Sequence, residues 1–192
     1  MLKGIFLCAC LASLPAGAQD ADGCPAGSFL IVMAPDGTTL SLLFDQFSVE
    51  STGRPSGAKL LKICRISAPL NLPANHSIGV YKVDYRGFAK LVARQETDLE
   101  VQYFLGPHGN EQGRVFKRKV KGPHEGDYLF TETIGAGQMK RVGCGTAAAL
   151  KVSITLSLSG ATPADEALTS LDTTDGISRG ALIYHLDLKK CS

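Results

Sequence analysis

The chain has 192 residues, of which 44% are hydrophobic, 20% are charged and 7% are aromatic, and it contains no tryptophan. This composition is typical of an ordinary globular protein, and it excludes a disordered or a fibrous chain. The formal net charge of +2 is too small to produce the field that nucleic acid-binding proteins use, so nucleic acid is not an expected partner.

The N-terminal residues have the pattern of a secretory signal peptide. Lys3 supplies the positive charge, residues 5–14 form an apolar stretch, and Ala16-Gly17-Ala18 is a small-residue cleavage site. The apolar stretch is too short to span a bilayer. The sequence therefore predicts a signal peptide over residues 1–18 and one secreted domain over residues 19–192. That domain would be extracellular, or periplasmic in a Gram-negative bacterium, with no transmembrane segment.

Short segments rich in β-branched and aromatic residues, separated by turn signals such as Pro35-Asp36-Gly37, fill the mature chain. They predict strands over residues 29–33, 40–49, 60–66, 78–91, 99–105, 115–120, 128–134, 150–159 and 182–188. One short helix is expected inside the loop of residues 160–176, with Thr162 as its N-cap and Pro163 at its first position. The pattern predicts an all-β fold, namely a single-domain antiparallel β-sandwich of about eight to ten strands, with a β-barrel as the alternative.

The cysteines of the mature chain are even in number and would lie in an oxidising compartment. Cys8 and Cys10 leave with the signal peptide, unless they mark a lipoprotein signal. The other four form no CxxC pair and no Cys/His cluster, which argues against zinc and redox sites: Cys24, Cys64, Cys144 and Cys191. Two disulfides are therefore expected.

The last two predicted strands favour one pairing of these cysteines. Residues 150–159 and 182–188 both alternate between apolar and polar side chains, as half-buried strands do. If the two segments pair antiparallel, residues that oppose each other have a constant sum of residue numbers. Ser159 with Gly176 and Cys144 with Cys191 have the same sum, so Cys144–Cys191 is predicted, which leaves Cys24–Cys64.

Several short motifs resemble a family of small secreted cysteine-containing proteins of fungi, plants and bacteria, catalogued as domain of unknown function 4360. The motifs are GCPAGS at residues 23–28, DYRGF at residues 84–88, GPHEGDY at residues 122–128, Cys144-Gly145 and the late Cys191. The resemblance covers essentially the whole mature chain. It implies an exported single-domain protein whose four cysteines are structural, and it supplies no catalytic residues.

The sequence gives little support for the common classes of secreted enzyme. The HExxH motif of metalloproteases is absent, and the single GxSxG spacing, at residues 176–180, precedes a predicted strand rather than the helix that a serine-hydrolase nucleophile turn requires. Copper polysaccharide oxygenases need a histidine at the mature N-terminus, where Gln19 is expected here. No catalytic residue, metal site or cofactor is therefore predicted, and the sequence favours a protein that is not an enzyme.

Two acidic clusters offer alternatives to that interpretation. His124, Glu125, Asp127 and Glu132 could supply the paired carboxyl groups of a glycosidase-like secreted hydrolase. A hairpin turn after Gly122-Pro123, in which Asp127 binds backbone amides, explains the same residues without catalysis. A second cluster could bind calcium but lacks the EF-hand spacing, and it consists of Asp165, Glu166, Asp172 and Asp175.

A basic segment is the clearest predicted surface feature. Strand alternation places Lys117, Lys119 and Lys121 on one face of the strand, with Phe116 and Arg118 on the other. Such a stripe could contact an anionic polysaccharide or a cell surface, or it could protect an edge strand against aggregation. The leading interpretation is a monomeric, non-enzymatic secreted protein that binds an extracellular anionic polymer through these lysines.

Aromatic residues of neighbouring strands could form a platform for sugar stacking, although core packing is the more common role of such residues. The five residues in question are Tyr81, Tyr85, Phe88, Tyr103 and Phe104.

Overall fold

Alternating apolar and polar side chains build twelve strands in the computed structural model, which describes residues 23–52, 59–106, 113–162, 166–171 and 181–191. The only helical element in these ranges is a single 3-10 turn at Ala136–Gln138. The strands are β1 (Phe29–Met33), β2 (Thr39–Phe44), β3 (Ser48–Glu50), β4 (Leu60–Leu70), β5 (His76–Leu91), β6 (Glu96–Gly106), β7 (Arg114–Lys121), β8 (His124–Thr133), β9 (Arg141–Gly143), β10 (Ala148–Ser159), β11 (Leu168–Ser170) and β12 (Ala181–Lys190).

The strands form two antiparallel sheets that face each other. Four strands make one sheet in the order β4-β10-β6-β7, and eight make the other, with the order β1-β2-β12-β5-β11-β3. The long strand β5 is central in the larger sheet, because it has partners along both of its edges. Strands β12 and β11 pair with one edge of β5, and β8 and β9 pair with the other. The predicted antiparallel sandwich is confirmed.

The core lies between the two sheets and consists of the side chains that the strands direct inward. Leu42, Leu182 and Tyr184 from the larger sheet and Ile154 and Leu158 from the smaller one are completely buried. Full burial of one such aliphatic side chain stabilises the fold by about 2 kcal/mol. The period-two pattern of the sequence therefore identifies the core face of each long strand correctly.

The structure differs from the predicted strands mainly in three short elements. The predicted run over residues 40–49 is two strands, β2 and β3, because the chain turns between them and buries Phe47 against Phe44, with 5.6 Å between the ring centroids. Strands β9 and β11 have three residues each and were not predicted. Of the predicted short helix, residues 163–165 lie outside the described residues, and Leu168–Ser170 is a strand instead.

Both predicted disulfides are present. Cys24–Cys64 anchors the start of the described chain to β4, with 5.2 Å between the Cα atoms, and Cys144–Cys191 has a Cα separation of 5.8 Å. The second disulfide joins the end of β9 to the end of β12 beside the start of β5. The backbone amides of Cys144 and Cys191 donate to the carbonyl oxygens of His76 and Asn75, respectively.

The strand pairing from which Cys144–Cys191 was predicted is wrong. Strand β10 lies between β4 and β6 in the smaller sheet, whereas β12 lies between β2 and β5 in the larger one. Alternation shows that a strand buries one face, but it does not identify the neighbouring strand. The two cysteines meet because β9 and β12 both pair with β5, and both end beside its first residues.

Candidate functional site

The lysine stripe, defined as Lys117, Lys119 and Lys121, lies on the outer face of β7, the last strand of the smaller sheet. All three side chains are exposed, whereas Phe116, which precedes them in β7, faces the interior and is 3% exposed. Arg118 lies at the open edge, where its guanidinium covers the Phe116 ring at 4.3 Å from the centroid. Strand β7 therefore presents the three ammonium groups on one face, as its sequence alternation predicts.

Three carboxylates of β6 lie directly opposite the lysine stripe. The register pairs Lys117 with Glu100, Lys119 with Asp98 and Lys121 with Glu96. Lys117 Nζ is 2.9 Å from Glu100 Oε2, and Lys119 Nζ contacts Glu96 and lies 3.4 Å from Asp98 Oδ1. We call these six residues the charge ladder. Its formal charges cancel, a feature that the sequence-based interpretation of a cationic stripe did not contain.

Electrostatics within the charge ladder agree with its geometry. The hydrogen bond from Lys119 lowers the pKa of Glu96, and the same bond raises the pKa of Lys119. The side chains of Lys119 and Glu96 are 39% and 33% exposed, so water and salt screen the attraction and the pair stabilises the fold only slightly. The ladder is therefore an ordered but exchangeable set of surface ion pairs.

Two hydroxyl side chains of β10 lie beside the acids on the outer face of the smaller sheet. The register places Thr155 next to Glu100 and Ser159 next to Glu96, and both are half-buried, whereas Ser157, opposite Asp98, is only 2% exposed. The face thus presents rows of ammonium and carboxylate groups with two hydroxyl groups beside them. Such a surface can donate and accept hydrogen bonds along an extended polar chain.

The three acids of the predicted hydrolase site do not come together. Glu125 and Asp127 lie on the exposed outer face of β8, whereas Glu132 is on the opposite, inner face of the same strand. Gly122 and Pro123 connect β7 of one sheet to β8 of the other, so they do not form a hairpin turn. Only Glu125 and Asp127 share a face.

Glu132 connects the two sheets. Its Oε1 accepts hydrogen bonds from Arg114 Nε and Nη2 at 3.1 and 3.0 Å, and its Oε2 accepts one from the Tyr85 hydroxyl at 3.0 Å. Arg114 belongs to β7 and Glu132 to β8, so the ion pair spans the edge of the sandwich. Burial is the largest cause of the strongly raised pKa of Tyr85, and the nearby Tyr184 and Glu132 raise it further. Tyr85 therefore stays protonated and donates to the carboxylate.

A second polar cluster lies on the outer face of the larger sheet and was not predicted. Asp84 Oδ2 is 2.8 Å from His185 Nε2 and 3.0 Å from Lys82 Nζ, and Asp84 Oδ1 accepts a 2.6 Å hydrogen bond from the Thr131 hydroxyl. Burial opposes ionisation of Asp84, but the hydrogen bonds from Thr131, His185 and Lys82 outweigh it and lower its pKa. Asp84 and His185 are 101 positions apart, so no local motif could have revealed this contact.

The remaining predicted candidates have separate locations. Tyr85 and Tyr103 are buried in the core, and Tyr81 is 42% exposed, so the five aromatic residues do not form one exposed platform. Of the proposed calcium ligands, Asp165, Asp172 and Asp175 lie outside the described residues. Glu166 is described, and it pairs with Lys90 at 3.6 Å.

Comparison with known proteins identifies the family of the chain. Within the part of the chain that the structure describes, no helix has the length and apolar character needed to cross a membrane. An uncharacterized secreted protein of Arthroderma benhamiae is 26% identical over 172 residues, which cover 88% of this chain and 68% of the relative. The profile described as Domain of unknown function (DUF4360) matches residues 21–191. The chain therefore belongs to the DUF4360 family.

Proposed function

We propose that the protein is secreted and non-catalytic, and that it binds an anionic extracellular polymer, such as an acidic polysaccharide, on the outer face of the smaller sheet. Lys117, Lys119 and Lys121 would supply the contacts. The observation that carries the proposal is the position of these three exposed ammonium groups on one face of an outer strand. The secreted relative and the two disulfides support export.

The spacing of the lysine stripe suits a polymer better than a single small anion. Alternate residues of a strand are about 7 Å apart, so the three ammonium groups extend over about 14 Å. A linear polyanion can contact all of them at once, and several weak contacts on one chain combine into a stronger one. The half-buried Thr155 and Ser159 of β10 add hydroxyl groups beside the acids for the same polymer.

The carboxylates of the charge ladder set the strength and the salt dependence of this interaction. In the free protein these acids form ion pairs with Lys117 and Lys119, and an incoming polymer must replace the acids as the partners of these lysines. Exposed ion pairs exchange readily because their net attraction in water is small. We therefore expect modest affinity that disappears at high salt, where exposed charges are screened.

The test is a co-sedimentation experiment with insoluble and anionic polysaccharides at low and high salt, using the oxidised mature protein. The loss variant is Lys117→Ala/Lys119→Ala/Lys121→Ala. The control variant, with the same change in net charge, replaces Lys90, Lys189 and Lys190 of the larger sheet by alanine. The gain variant neutralises the opposing acids by Glu96→Gln/Asp98→Asn/Glu100→Gln.

The proposal requires four results together. The wild type binds at low salt, the loss variant does not, the control variant binds like the wild type, and the gain variant binds more tightly. Equal weakening by the loss and control variants would show attraction to net charge alone and would overturn the proposal. Absence of wild-type binding to every polymer would leave the lysines as protection of the β7 edge.

The hydrolase alternative stays a prediction, and one observation favours it. Glu125 and Asp127 are two positions apart on one face of β8, and a separation of about 7 Å falls in the range of carboxyl groups in inverting glycosidases. Release of reducing sugar by the wild type, abolished by Glu125→Gln or Asp127→Asn, would support it. Activity that survives both substitutions would exclude these acids.

A further inference from the structure

A cavity of about 250 Å³ opens between the two sheets at one side of the sandwich. One wall comes from the end of β6 and the start of β7, and the other from β5 and the segment between β8 and β9. We call it the edge cavity and define it by its principal lining residues, which are Val80, Leu105, Arg114, Ile134, Met139 and Lys140. It is distinct from the charge ladder on the outer face.

The edge cavity combines an apolar interior with a cationic side. Val80, Leu105 and Ile134 are at most 8% exposed, and Met139 packs on the same core. Arg114 and Lys140 are the charged residues among the lining residues that the structure describes. Small-molecule sites have this composition, with mostly apolar walls and a few placed polar groups.

The charge count indicates a monoanionic ligand. Glu132 neutralises Arg114 through the Nε and Nη2 atoms, which leaves the Nη1 of the guanidinium outside these bonds. Lys140 adds one positive charge, so the three groups together carry a formal charge of +1. One carboxylate would balance it, with the guanidinium and the ammonium as donors.

The buried Tyr103 in the lining of the edge cavity supports a polar occupant. Tyr103 lines the cavity and is 3% exposed, and it packs edge to face on Tyr184, with 5.4 Å between the ring centroids. Neither hydroxyl has a partner within normal hydrogen-bonding distance among the described residues, and Arg114 and Glu132 are the nearest charged groups that act on the Tyr103 hydroxyl. An unpaired buried hydroxyl is unfavourable, and a polar group that reaches Tyr103 from the cavity would remove that cost.

We propose that the edge cavity binds a small amphiphilic carboxylate, such as a short-chain or medium-chain fatty acid. Its carboxylate lies between Arg114 and Lys140, and its alkyl chain lies against Val80, Leu105 and Ile134. The volume is slightly below the roughly 300 Å³ at which drug-sized ligands begin to fit, so the ligand is short and unbranched. This proposal is independent of polymer binding by the lysine stripe.

The test is a titration of the oxidised mature protein with butanoate, hexanoate, octanoate and decanoate, followed by calorimetry and by ¹⁵N-resolved amide NMR. Octan-1-ol and octylamine are the ligand controls. The protein variants are Lys140→Gln, which removes the rim charge from an exposed position, Lys90→Gln as its matched control, and Ile134→Phe, which fills the apolar interior.

The proposal predicts that affinity rises by about fourfold for each added methylene until the chain fills the cavity. Octanoate binds more tightly than octan-1-ol or octylamine, Lys140→Gln weakens octanoate by about fivefold, and Lys90→Gln has no effect. The largest amide shifts occur at residues 103–105 and 134–140. The spectrum of the Ile134→Phe variant shows that it is folded while binding is lost.

Three results would overturn the proposal. These are no binding of any carboxylate at millimolar concentration, equal binding of octylamine and octanoate, or amide shifts confined to the exposed apolar strand β1. Polymer binding by the lysine stripe can succeed or fail in its own experiment without changing these outcomes, because Lys140 is not part of the charge ladder.

Discussion

Replacement of Glu132 by alanine tests the connection between the two sheets. The side chain of Glu132 is 13% exposed and that of Arg114 is 36% exposed, so water can reach the guanidinium but hardly the carboxylate. The substitution leaves the completely buried Tyr85 without its acceptor, which costs about 1–3 kcal/mol. Arg114 is then hydrated, so the loss of its ion pair costs less free energy of unfolding than the loss of a partner would cost for a fully buried charge.

The expected loss in the free energy of unfolding is therefore about 2–4 kcal/mol. Tyr85→Phe removes the donor together with its need for a partner, so it should cost about 1–2 kcal/mol. Arg114→Met leaves the carboxylate with a single hydrogen bond and should cost about 2–3 kcal/mol. The expected order of destabilisation among the three variants thus depends on which polar group each substitution leaves buried without a partner.

Urea denaturation with intact disulfides measures these differences, provided that the m-value does not change. Glu125→Ala is the matched control, because Glu125 is an exposed glutamate on the other face of the same strand; it should lie within about 0.5 kcal/mol of the wild type. A loss of less than about 0.5 kcal/mol for Glu132→Ala would refute the inference that Glu132 joins the sheets.

Two further predictions concern the larger sheet. Because the pKa of Asp84 is lower in the folded protein, the stability that its ionised form contributes is present above the unfolded-state pKa and is lost as the pH falls below about 4. Acid titration of unfolding should show a smaller loss in Asp84→Asn, and an identical loss would contradict this assignment. Four consecutive residues of the outer strand β1, Leu30 to Met33, are each at least 38% exposed, so we expect weak self-association through this edge. Sedimentation velocity should show that Ile31→Lys suppresses it, while equal behaviour of variant and wild type would exclude β1 as the contact.

The accuracy of the sequence-based prediction depends on how local each feature is. The core face of β10 follows from alternation within twelve residues, and it is correct. The neighbours of β10 depend on residues far along the chain, so the predicted pairing with β12 failed. The three-residue strands β3, β9 and β11 are too short to show a period.

The candidate sites follow the same rule. Alternation placed the lysine stripe on one face of β7, but its partners depend on the β6–β7 register. A usable signal was present, because Glu96, Asp98 and Glu100 alternate across the start of the predicted strand over residues 99–105 just as the lysines do in theirs. Two alternating rows of opposite charge in successive strands predict a ladder if the strands form a hairpin. The Arg114–Glu132 pair and the Asp84–His185 contact join different sheets or distant strands, and no local signal predicts them.

Neutralising the acids of the charge ladder tests the proposed role of the lysines more sharply than removing the lysines does. If the lysines only protect the edge of β7, the acids keep that edge ordered and neutral, and neutralising the acids does not increase polymer binding. If the lysines bind a polymer, the same acids compete with it, and their removal must tighten binding. Loss of binding in a lysine variant alone is also expected from simple charge attraction. The two roles are separated by a second measurement, in which the polymer affinity of the variant with neutralised Glu96, Asp98 and Glu100 is compared with that of a control variant of the same net charge. A control that removes three negative charges elsewhere, by changing Glu50, Glu125 and Asp127 to their amides, completes this comparison.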